Sequence, residues 1–465
     1  MHPYELTLHQ AAEQIRERQL SPVELTESVL GRIDALDDRV GAFASVMHEQ
    51  ALHAARAAEK EIVDGSYRGP LHGICIGVKD LIDTAGVATT SSSRTRTDRV
   101  PDTNAAVVDH LEAAGAVIVG KTHTHEFAYG VLTPTTRNPW HLDHVPGGSS
   151  GGSAAAVVAR MCQGAIGTDT GGSVRIPSAV CGTVGLKPTY GRISRRGTTS
   201  LSWSLDHIGP LTNSVRDAAL MMDVIAGYDR DDPATRDVPV PRHTENLTAG
   251  VEGMVLGVPR NYFFDHIDPE VEAAVREAIR QLEGLGARLR EIDIPYPELY
   301  MPAEFGILVP EASAYHQQSL RQMGELYESD VRGLLEAGEL VLATDYIKAQ
   351  RARTLLQQGW RDMFDGLDAV LAPTLPATAA EVGQTSFTWP DGSQEAVINS
   401  CVRTSAPGNL TGLPGLSVPC GFDRSGLPIG LQILGKPFAE PTVLRVGAAY
   451  EDATDWADRM PEGLL

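Results

Sequence analysis

The chain alternates between segments with helical periodicity and short apolar runs that are typical of β-strands. Residues 21–36 open with Ser-Pro-Val-Glu, a capping box with proline in the first turn, and apolar residues then recur at helical spacing. Further along, a helical stretch at about 105–114 leads into the strand-like AVIVG at 116–120. Because this alternation continues to the C-terminal runs VLAPT and GLSVPC, we predict an α/β fold with a mixed central sheet.

One long segment departs from this alternation. From about 295 to 365 the chain reads as helical, and its sequence is the most individual part of the protein. No internal repeat is present, and residues 229–250 read as a polar, proline-bearing surface segment. We therefore predict a single domain over residues 1–465 with a helical insertion at about 295–365; a domain boundary near 230–300 is the alternative.

Charge and cysteine content narrow the class of protein. A formal net charge of -21 argues against binding to polyanionic nucleic acid. No run of eighteen apolar residues occurs, and the N-terminus lacks a basic segment followed by an apolar stretch, so neither a membrane span nor a signal peptide is predicted. The five scattered cysteines form no C-x-x-C pair and fit buried free thiols. These features predict a cytoplasmic protein.

Three short patterns suggest other chemistry. Gly115–Thr122 matches the G-x-x-x-x-G-K-[ST] phosphate loop, but the residues between its glycines, Ala-Val-Ile-Val, belong in a strand. Gly147–Gly151 matches the G-x-S-x-G nucleophile elbow; no strand precedes it, although downstream histidines keep this alternative open. His123, His125 and Glu126 lack the H-E-x-x-H spacing, so hydrogen-bonding roles are preferred and no metal is predicted.

The strongest candidate chemistry lies in residues 146–194, where two Gly/Ser turns, GGSSGG and DTGGS, flank a helix-like and a strand-like segment. Glycine lets the backbone pass close to a ligand. Successive amide N–H groups in the second turn are expected to form an oxyanion hole beside a serine nucleophile. These amides belong to Thr170, Gly171, Gly172 and Ser173. Taken alone, each turn is explained better by a tight connection between strand and helix, because Gly-rich turns are common.

The whole pattern resembles the amidase signature family over nearly the full chain. Similar blocks include LHGICIGVKDLIDTAGVATTSSS, KTHTHEFAYG, GLKPTYGRIS and GLPGLSVPCGFDRSGLPIGLQILG, together with the signature stretch in residues 146–194. The resemblance implies a large mixed sheet covered on both faces by helices. It also implies a homodimeric amidase that splits a C–N bond of a small molecule through an acyl-enzyme, without a cofactor.

By this resemblance, a catalytic triad maps onto Lys79, Ser149 and Ser173. Ser173 would be the nucleophile, and Ser149 would pass its proton to Lys79 because an alcohol needs a base to attack a carbonyl. Lys79 accepts a proton only when neutral, and it ends the apolar run Ile-Cys-Ile-Gly-Val, so burial is expected to lower its pKa. The resemblance also implies a cis Gly148–Ser149 peptide bond, and Ser150 is expected to support the relay.

Neighbouring residues receive supporting roles. The Asp80 side chain is expected to point away from Lys79, because a facing carboxylate would raise the lysine pKa. Asp169 and Arg175 flank the nucleophile and are expected to hold its loop rather than to touch the substrate. The candidate substrate-binding residues are Tyr129, Thr133 and Trp203.

The nature of the substrate is less constrained than the chemistry. The segment MPAEFGILVP supplies apolar side chains, which fits an aryl or apolar acyl group, but it fits a helix-packing surface equally well. Hydrazides, carbamates and esters share the same acyl chemistry. A second hypothesis is the glutaminase (A) subunit of an aminoacyl-tRNA amidotransferase, which has a very similar motif block. Ile176 stands where that resemblance predicts Gln, which favours a stand-alone amidase.

Overall fold

The computed structural model of the chain describes residues 2–461 and residue 463. Within these residues the strands are β1 (Phe43–Val46), β2 (Cys75–Lys79), β3 (Val117–Thr122), β4 (Gly164–Asp169), β5 (Val184–Lys187), β6 (His207–Thr212), β7 (Val255–Pro259), β8 (Arg288–Ile292), β9 (Ala369–Pro373), β10 (Ser386–Thr388), β11 (Gln394–Ala396), β12 (Gly415–Phe422) and β13 (Pro428–Gly435). The α-helices are α1 (Leu8–Arg16), α2 (Pro22–Val40), α3 (His48–Val63), α4 (Ala106–Ala113), α5 (Gly151–Val158), α6 (Arg175–Cys181), α7 (Val215–Ile225), α8 (Pro269–Gly284), α9 (Tyr300–Met323), α10 (Ser329–Gly338), α11 (Ala343–Met363), α12 (Val397–Thr411) and α13 (Glu440–Glu451).

One mixed sheet of 11 strands has the order β1-β3-β2-β4-β6-β5-β12-β13-β9-β7-β8, and β10 pairs with β11 in a separate hairpin. β2 runs parallel to both of its neighbours, β3 and β4, whereas β4 and β6 are antiparallel. Every residue of β2, β3, β4, β6, β9 and β13 is buried. Because side chains alternate between the two faces of a strand, this burial requires cover on both faces. The predicted fold class, an α/β protein with a large mixed sheet between helices, is confirmed.

The first long helix forms as its sequence pattern predicts. The Val23 N–H donates to Ser21 Oγ at 3.0 Å, and the Ser21 N–H donates to Glu24 Oε2 at 3.0 Å, which completes the capping box. α2 ends at Gly41, whose φ of 63° is left-handed and carries little strain without a Cβ. Its buried apolar stripe contains Leu25, Val29, Leu30, Ile33 and Leu36.

The parallel pairing of β2 with β4 places their carboxyl ends at the same edge of the sheet. Val78 lies opposite Ile166, so Lys79 at the end of β2 comes close to the last residues of β4. α5 precedes β4 and α6 follows it, and the GGSSGG and DTGGS turns therefore meet at this edge. The sheet topology gathers the candidate residues that are far apart in sequence.

Other expectations can be compared with the described residues. Most of the Gly115–Thr122 pattern forms strand β3, as predicted, and not a phosphate-binding loop. Its Lys121 Nζ donates to the Thr84 and Thr89 hydroxyls at 3.1 and 3.0 Å. α9, α10 and α11 lie within the segment predicted to be helical, and α9 packs against α12.

All five cysteines are buried and free. No described helix has the length and apolar character that crossing a membrane requires.

Gly209 offers a test of how closely the central strands pack. A Cβ at Gly209 in β6 would lie 2.1 Å from the Leu186 carbonyl oxygen, and this backbone oxygen belongs to a buried strand with little room to move. We expect Gly209→Ala to lower the free energy of unfolding by about 1–3 kcal/mol. The measurement is the midpoint of urea unfolding. Gly227→Ala, where a Cβ meets nothing within 4 Å, is the control, and an equal loss in both variants would contradict the packing.

Candidate active site

The amine of Lys79 lies at the centre of a cluster of hydroxyl groups. Lys79 is fully buried at the end of β2, and its Nζ lies 2.8 Å from Ser149 Oγ, 2.9 Å from Ser150 Oγ and 2.8 Å from Thr168 Oγ1. The two Gly/Ser turns are also joined directly, because the Ser150 N–H donates to the Ser173 carbonyl oxygen at 3.2 Å. The structure therefore brings Lys79, Ser149, Ser150 and the backbone of Ser173 together.

The surroundings of Lys79 favour its neutral form. Burial lowers the pKa of Lys79 well below its usual range, and this effect outweighs the charges of Asp169 and Asp206, which raise it. Within the described part of the chain, Lys79 forms no ion pair. Asp80 points away, as predicted: its carboxylate accepts the Thr90 and Ser92 N–H groups at 3.1 and 3.3 Å. The Asp80 carboxylate is therefore bonded to backbone amides and not to the Lys79 amine.

The GGSSGG turn is fixed through the backbone of Ser149. The Gly148–Ser149 peptide bond is cis. The Ser149 carbonyl oxygen accepts the His125 N–H at 3.0 Å and the Thr133 hydroxyl at 3.2 Å, and Thr133 Oγ1 accepts the Gly151 N–H at 3.2 Å. Thr133, predicted to bind substrate, is fully buried and holds this turn instead, because its hydroxyl is used by the backbone.

A buried ion pair holds the turn that carries Ser173. Arg175 Nη2 and Nε donate to the two Asp169 carboxylate oxygens at 3.0 Å each, and both side chains are fully buried. Arg175 also donates to Gln432 Oε1 at 2.7 Å and to Asn409 Oδ1 at 2.6 Å. The pairing with Arg175 keeps the pKa of Asp169 below its usual range, although burial raises it. The prediction that Asp169 and Arg175 hold this loop is confirmed.

The backbone amides of the DTGGS turn differ in their partners. The Gly172 N–H donates to Asp169 Oδ1 at 2.9 Å, so this amide is occupied and does not join the predicted oxyanion hole. Among the residues that the structure describes, three amides of the turn have no acceptor. They belong to Thr170, Gly171 and Ser173. These three amides stay candidates for the predicted oxyanion hole, whereas the Gly172 amide donates to Asp169.

Ser173 borders a small cavity with an empty volume of about 340 Å³, here called the apolar cavity. Among the described residues, the Ser173 hydroxyl has no hydrogen-bond partner. Two of its walls, Phe305 and Leu308, come from the MPAEFGILVP segment of α9, and Ile398 and Val402 come from α12. The apolar side chains around this cavity are Tyr129, Val131, Leu201, Phe305, Leu308, Ile398 and Val402.

The other two predicted substrate-binding residues have different surroundings. Tyr129 lines the apolar cavity, and its buried hydroxyl has no partner among the described residues. Trp203 is 62% exposed and lies instead at a second cavity of about 710 Å³, here called the polar cavity. The lining of the polar cavity includes Thr168, Thr170, Arg195, Arg196, Asp231 and Asp232 beside apolar side chains such as Leu201 and Ile208.

Two residues of the site were not anticipated from the sequence. Thr168 is the last residue but one of β4, and the sequence there indicates only a strand. Its position at the end of that strand, next to the DTGGS turn, could have indicated a role in the site. Glu304 on α9 is fully buried, and its carboxyl oxygens have no hydrogen-bond partner in the described part of the chain. A Cβ on Gly171 would lie 3.0 Å from Glu304 Oε1, so this carboxyl abuts the nucleophile turn. Burial raises the pKa of Glu304 well above its usual range.

The histidines near the site have ordinary hydrogen-bond partners. His125 Nε2 lies 3.0 Å from Asp330 Oδ2, and His123 Nδ1 lies 3.1 Å from Ser92 Oγ. Over residues 2–461 and 463, no group of three His, Cys, Asp or Glu side chains is arranged to hold a metal ion. The hydrogen-bonding role predicted for these histidines therefore agrees with the structure.

Comparison with known proteins agrees with this geometry. The sequence model of the Amidase family matches residues 24–444. An amidase of Pseudomonas putida is 52% identical over 458 residues, which covers 98% of each chain. A glutamyl-tRNA(Gln) amidotransferase subunit of Roseiflexus sp. (strain RS-1) is 42% identical over 487 residues, covering 99% of this chain and 98% of the relative. The crystal structure of a bacterial aryl acylamidase of the amidase signature enzymes superposes with a TM-score of 0.89 at 28% identity, over 97% of both chains.

The mixed sheet and the match of the Amidase family model over residues 24–444 define an enzyme of the amidase class. The chain belongs to the amidase signature family. Its activity is accordingly that of an amidase, acting on a small amide substrate.

Glu304 generates a prediction about stability and pH. The pKa of Glu304 is raised in the folded protein, so the unfolded chain releases the proton at a pH at which the folded protein still keeps it. The contribution of Glu304 to the free energy of unfolding therefore falls as pH rises above the ordinary pKa of glutamate. We expect Glu304→Gln to remove this loss. The unfolding free energy of the variant, relative to wild type, should rise by up to about 1.4 kcal/mol per pH unit between pH 5 and the folded pKa.

Urea unfolding at pH 5, 6, 7 and 8 measures this difference. Glu298→Gln is the matched control, because Glu298 is exposed in the segment that leads into α9. The control should show no trend with pH. If the difference in unfolding free energy between Glu304→Gln and wild type does not change with pH, Glu304 is ionised in the folded protein.

Proposed function

We propose that the chain is a stand-alone amidase that hydrolyses amides of small aryl or apolar acids through an acyl-enzyme on Ser173. The observation that carries the proposal is the buried amine of Lys79, 2.8 Å from Ser149 Oγ and without a carboxylate partner among the described residues. An amine whose charged form is disfavoured by burial is available as a base at neutral pH. The similarity to the Pseudomonas putida amidase supports the same class of reaction.

Donor counting indicates how the protons lie around Lys79. A neutral amine has two N–H donors and one lone pair. Ser150 Oγ donates to the Thr168 carbonyl oxygen at 3.1 Å, so towards Lys79 it acts as an acceptor. Thr168 Oγ1 and Ser149 Oγ, each 2.8 Å from Nζ, are the other two partners. In the proposed arrangement Thr168 Oγ1 accepts the second N–H, and the lone pair of Nζ faces the Ser149 hydroxyl, which is the orientation needed to receive its proton.

The reaction follows from this arrangement. Ser173 Oγ attacks the carbonyl carbon, its proton passes to Ser149 Oγ, and Ser149 gives its own proton to Lys79 Nζ. The free amides of Gly171 and Ser173 would stabilise the oxyanion. The C–N bond then breaks as the leaving nitrogen takes a proton back from the Lys79–Ser149 relay. Water attacks the resulting ester, releases the acid and restores the Ser173 hydroxyl.

The walls of the apolar cavity support a small apolar acyl group. Phe305 and Leu308 from α9 and Val402 from α12 offer dispersion contacts and no hydrogen bonds. Hydrazides and esters of the same acids present the same acyl carbonyl, and carbamates present a carbonyl carbon open to the same attack, so the proposal extends to them as alternative substrates.

A second candidate is the glutaminase subunit of an aminoacyl-tRNA amidotransferase, favoured by the 42% identity to the Roseiflexus protein. Ile176 is an argument against it, because this apolar side chain packs on the nucleophile turn: a Cβ on Gly172 would lie 2.7 Å from Ile176 Cδ1. Hydrolysis of glutamine by the isolated chain, without hydrolysis of any apolar amide, would favour this second candidate over the stand-alone amidase.

Ser173 is the first residue to substitute. We expect Ser173→Ala to abolish hydrolysis of a panel of aryl and alkyl primary amides, because no acyl-enzyme forms, while the unfolding midpoint stays close to that of wild type. Released ammonia is the measurement. Ser178→Ala is the control, since Ser178 is a buried serine on the following helix whose hydroxyl has no partner among the described residues. Turnover retained by Ser173→Ala would remove Ser173 as the nucleophile.

The buried amine of Lys79 leads to a prediction of how kcat/KM changes at low pH. Its pKa is lowered by burial, and below that pKa the amine is protonated and cannot accept the Ser149 proton, so kcat/KM should fall as pH decreases. Lys79→Ala should lower kcat/KM by about 10²–10⁴-fold. The profile is measured on the best primary amide between pH 4 and pH 9. A wild-type kcat/KM that is constant down to pH 4 would contradict a neutral Lys79 as the base.

A further inference from the structure

The polar cavity lies beside the nucleophile and borders the proton relay. It shares Ala128 and Leu201 with the apolar cavity. Thr168 lines it, and Thr168 Oγ1 lies 2.8 Å from Lys79 Nζ. The leaving nitrogen of an amide must receive its proton from that relay. With the acyl group in the apolar cavity, the leaving group would therefore extend into the polar cavity.

The positive charges at the polar cavity are already paired. Arg196 Nε and Nη2 donate to Asp229 at 3.1 Å and to Asp109 at 3.3 Å. Arg195 Nε lies 3.6 Å from Asp232 Oδ2. Neither guanidinium therefore has an uncompensated charge with which to hold an anionic ligand.

One negative charge at the cavity is not paired. Among the residues that the structure describes, the Asp231 carboxylate has neither an ion-pair nor a hydrogen-bond partner, and Asp231 lines the cavity. Asp206, in contrast, accepts hydrogen bonds from the Thr170 and Ser200 hydroxyls and from two backbone amides, so it has no capacity left for a ligand. The available carboxylate is that of Asp231.

His207 adds a second polar group without a partner. It is 3% exposed and lines the polar cavity. Its Nδ1 lies 2.6 Å from the Leu205 carbonyl oxygen and 3.1 Å from that of Asp169, so Nδ1 carries the proton. Nε2 is consequently an acceptor, and it has no donor among the described residues. Burial lowers the pKa of His207 well below its usual range, which keeps the ring neutral.

We infer that the polar cavity is the leaving-group subsite and that it selects amides whose amine product carries a second, protonated amine. This inference rests on the proposed function for the position of the reacting carbonyl. Because the guanidinium charges are paired and the Asp231 carboxylate is not, the cavity carries one unpaired negative charge among the described residues, and His207 Nε2 adds an unprotonated acceptor. A ligand with additional N–H donors and positive charge complements such a site, and a carboxylate does not.

A matched series of amides tests the inference. The members share one small aryl acyl group, benzoyl, and differ in the N-substituent: butyl, 4-aminobutyl or 3-carboxypropyl. We expect kcat/KM to be roughly five-fold higher for the aminobutyl amide than for the butyl amide at low salt, and lowest for the carboxypropyl amide. The preference should shrink as salt is added, because the Asp231 charge is solvent-accessible.

Two variants assign the preference to the cavity. Asp231→Asn should bring the ratio of aminobutyl to butyl kcat/KM close to one. Asp237→Asn removes the same charge from an exposed position of the same segment outside the cavity, and it should leave the ratio as in wild type. Equal kcat/KM for the three amides, or a ratio that Asp231→Asn does not change, would overturn the inference.

Binding separates this inference from the proposed function. Calorimetric titration of the Ser173→Ala variant with the aminobutyl and butyl amides needs no turnover, and the aminobutyl amide should bind more tightly by a similar factor. If no primary amide is hydrolysed by wild type, the proposed function fails, yet this titration still decides the subsite. Equal affinities would reject the subsite even if hydrolysis of primary amides is established.

Discussion

The site depends on keeping a lysine amine buried and neutral beside three carboxylates. Burial disfavours the ammonium form of Lys79, but a single facing carboxylate would restore it. The structure gives each nearby acid another partner: Asp80 accepts from Thr90 and Ser92, Asp169 is held by Arg175, and Asp206 is saturated by hydroxyls and amides. The hydroxyl shell around Nζ is thus possible only because these carboxylates are held elsewhere.

The Asp169–Arg175 pair connects this local requirement to the whole fold. Arg175 reaches Asn409 on α12 and Gln432 on β13, both more than two hundred residues further along the chain. Asp169 in turn accepts the Gly172 and Val174 amides, which shapes the nucleophile turn. A buried ion pair that loses one partner is strongly destabilising. The geometry of the nucleophile is therefore set by the C-terminal half of the chain as much as by the signature stretch.

The sequence predicted those parts of the site that are local. The helix start at Ser21, the strand that ends in Lys79 and the two Gly/Ser turns are encoded by short patterns, and the structure has them where they were expected. The family resemblance supplied the pairing of Lys79 with Ser149. Spacing alone does not predict which strands become neighbours, so Thr168 beside Lys79 was not anticipated.

Contacts between distant parts of the chain decide what the sequence could not predict. Thr133 was a candidate for substrate binding, but its hydroxyl is bonded to the backbone of the GGSSGG turn. Glu304, within the apolar segment of α9, was not singled out. Only the packing of α9 against α12 and the nucleophile turn makes it a buried acid. Long-range contacts of this kind leave no short sequence pattern.

In the proposed mechanism Lys79 must be unprotonated, whereas Glu304 must be protonated. Lys79 must lose its proton to act as a base, whereas an ionised Glu304 beside Gly171 would oppose the developing oxyanion. Burial drives both groups in the required direction, because it disfavours any charge: it lowers the pKa of the lysine and raises that of the glutamate. The same desolvation therefore favours the neutral form of both groups. In the proposed mechanism, water entering the site would oppose both pKa shifts, so the part of α9 that borders the apolar cavity helps to maintain them.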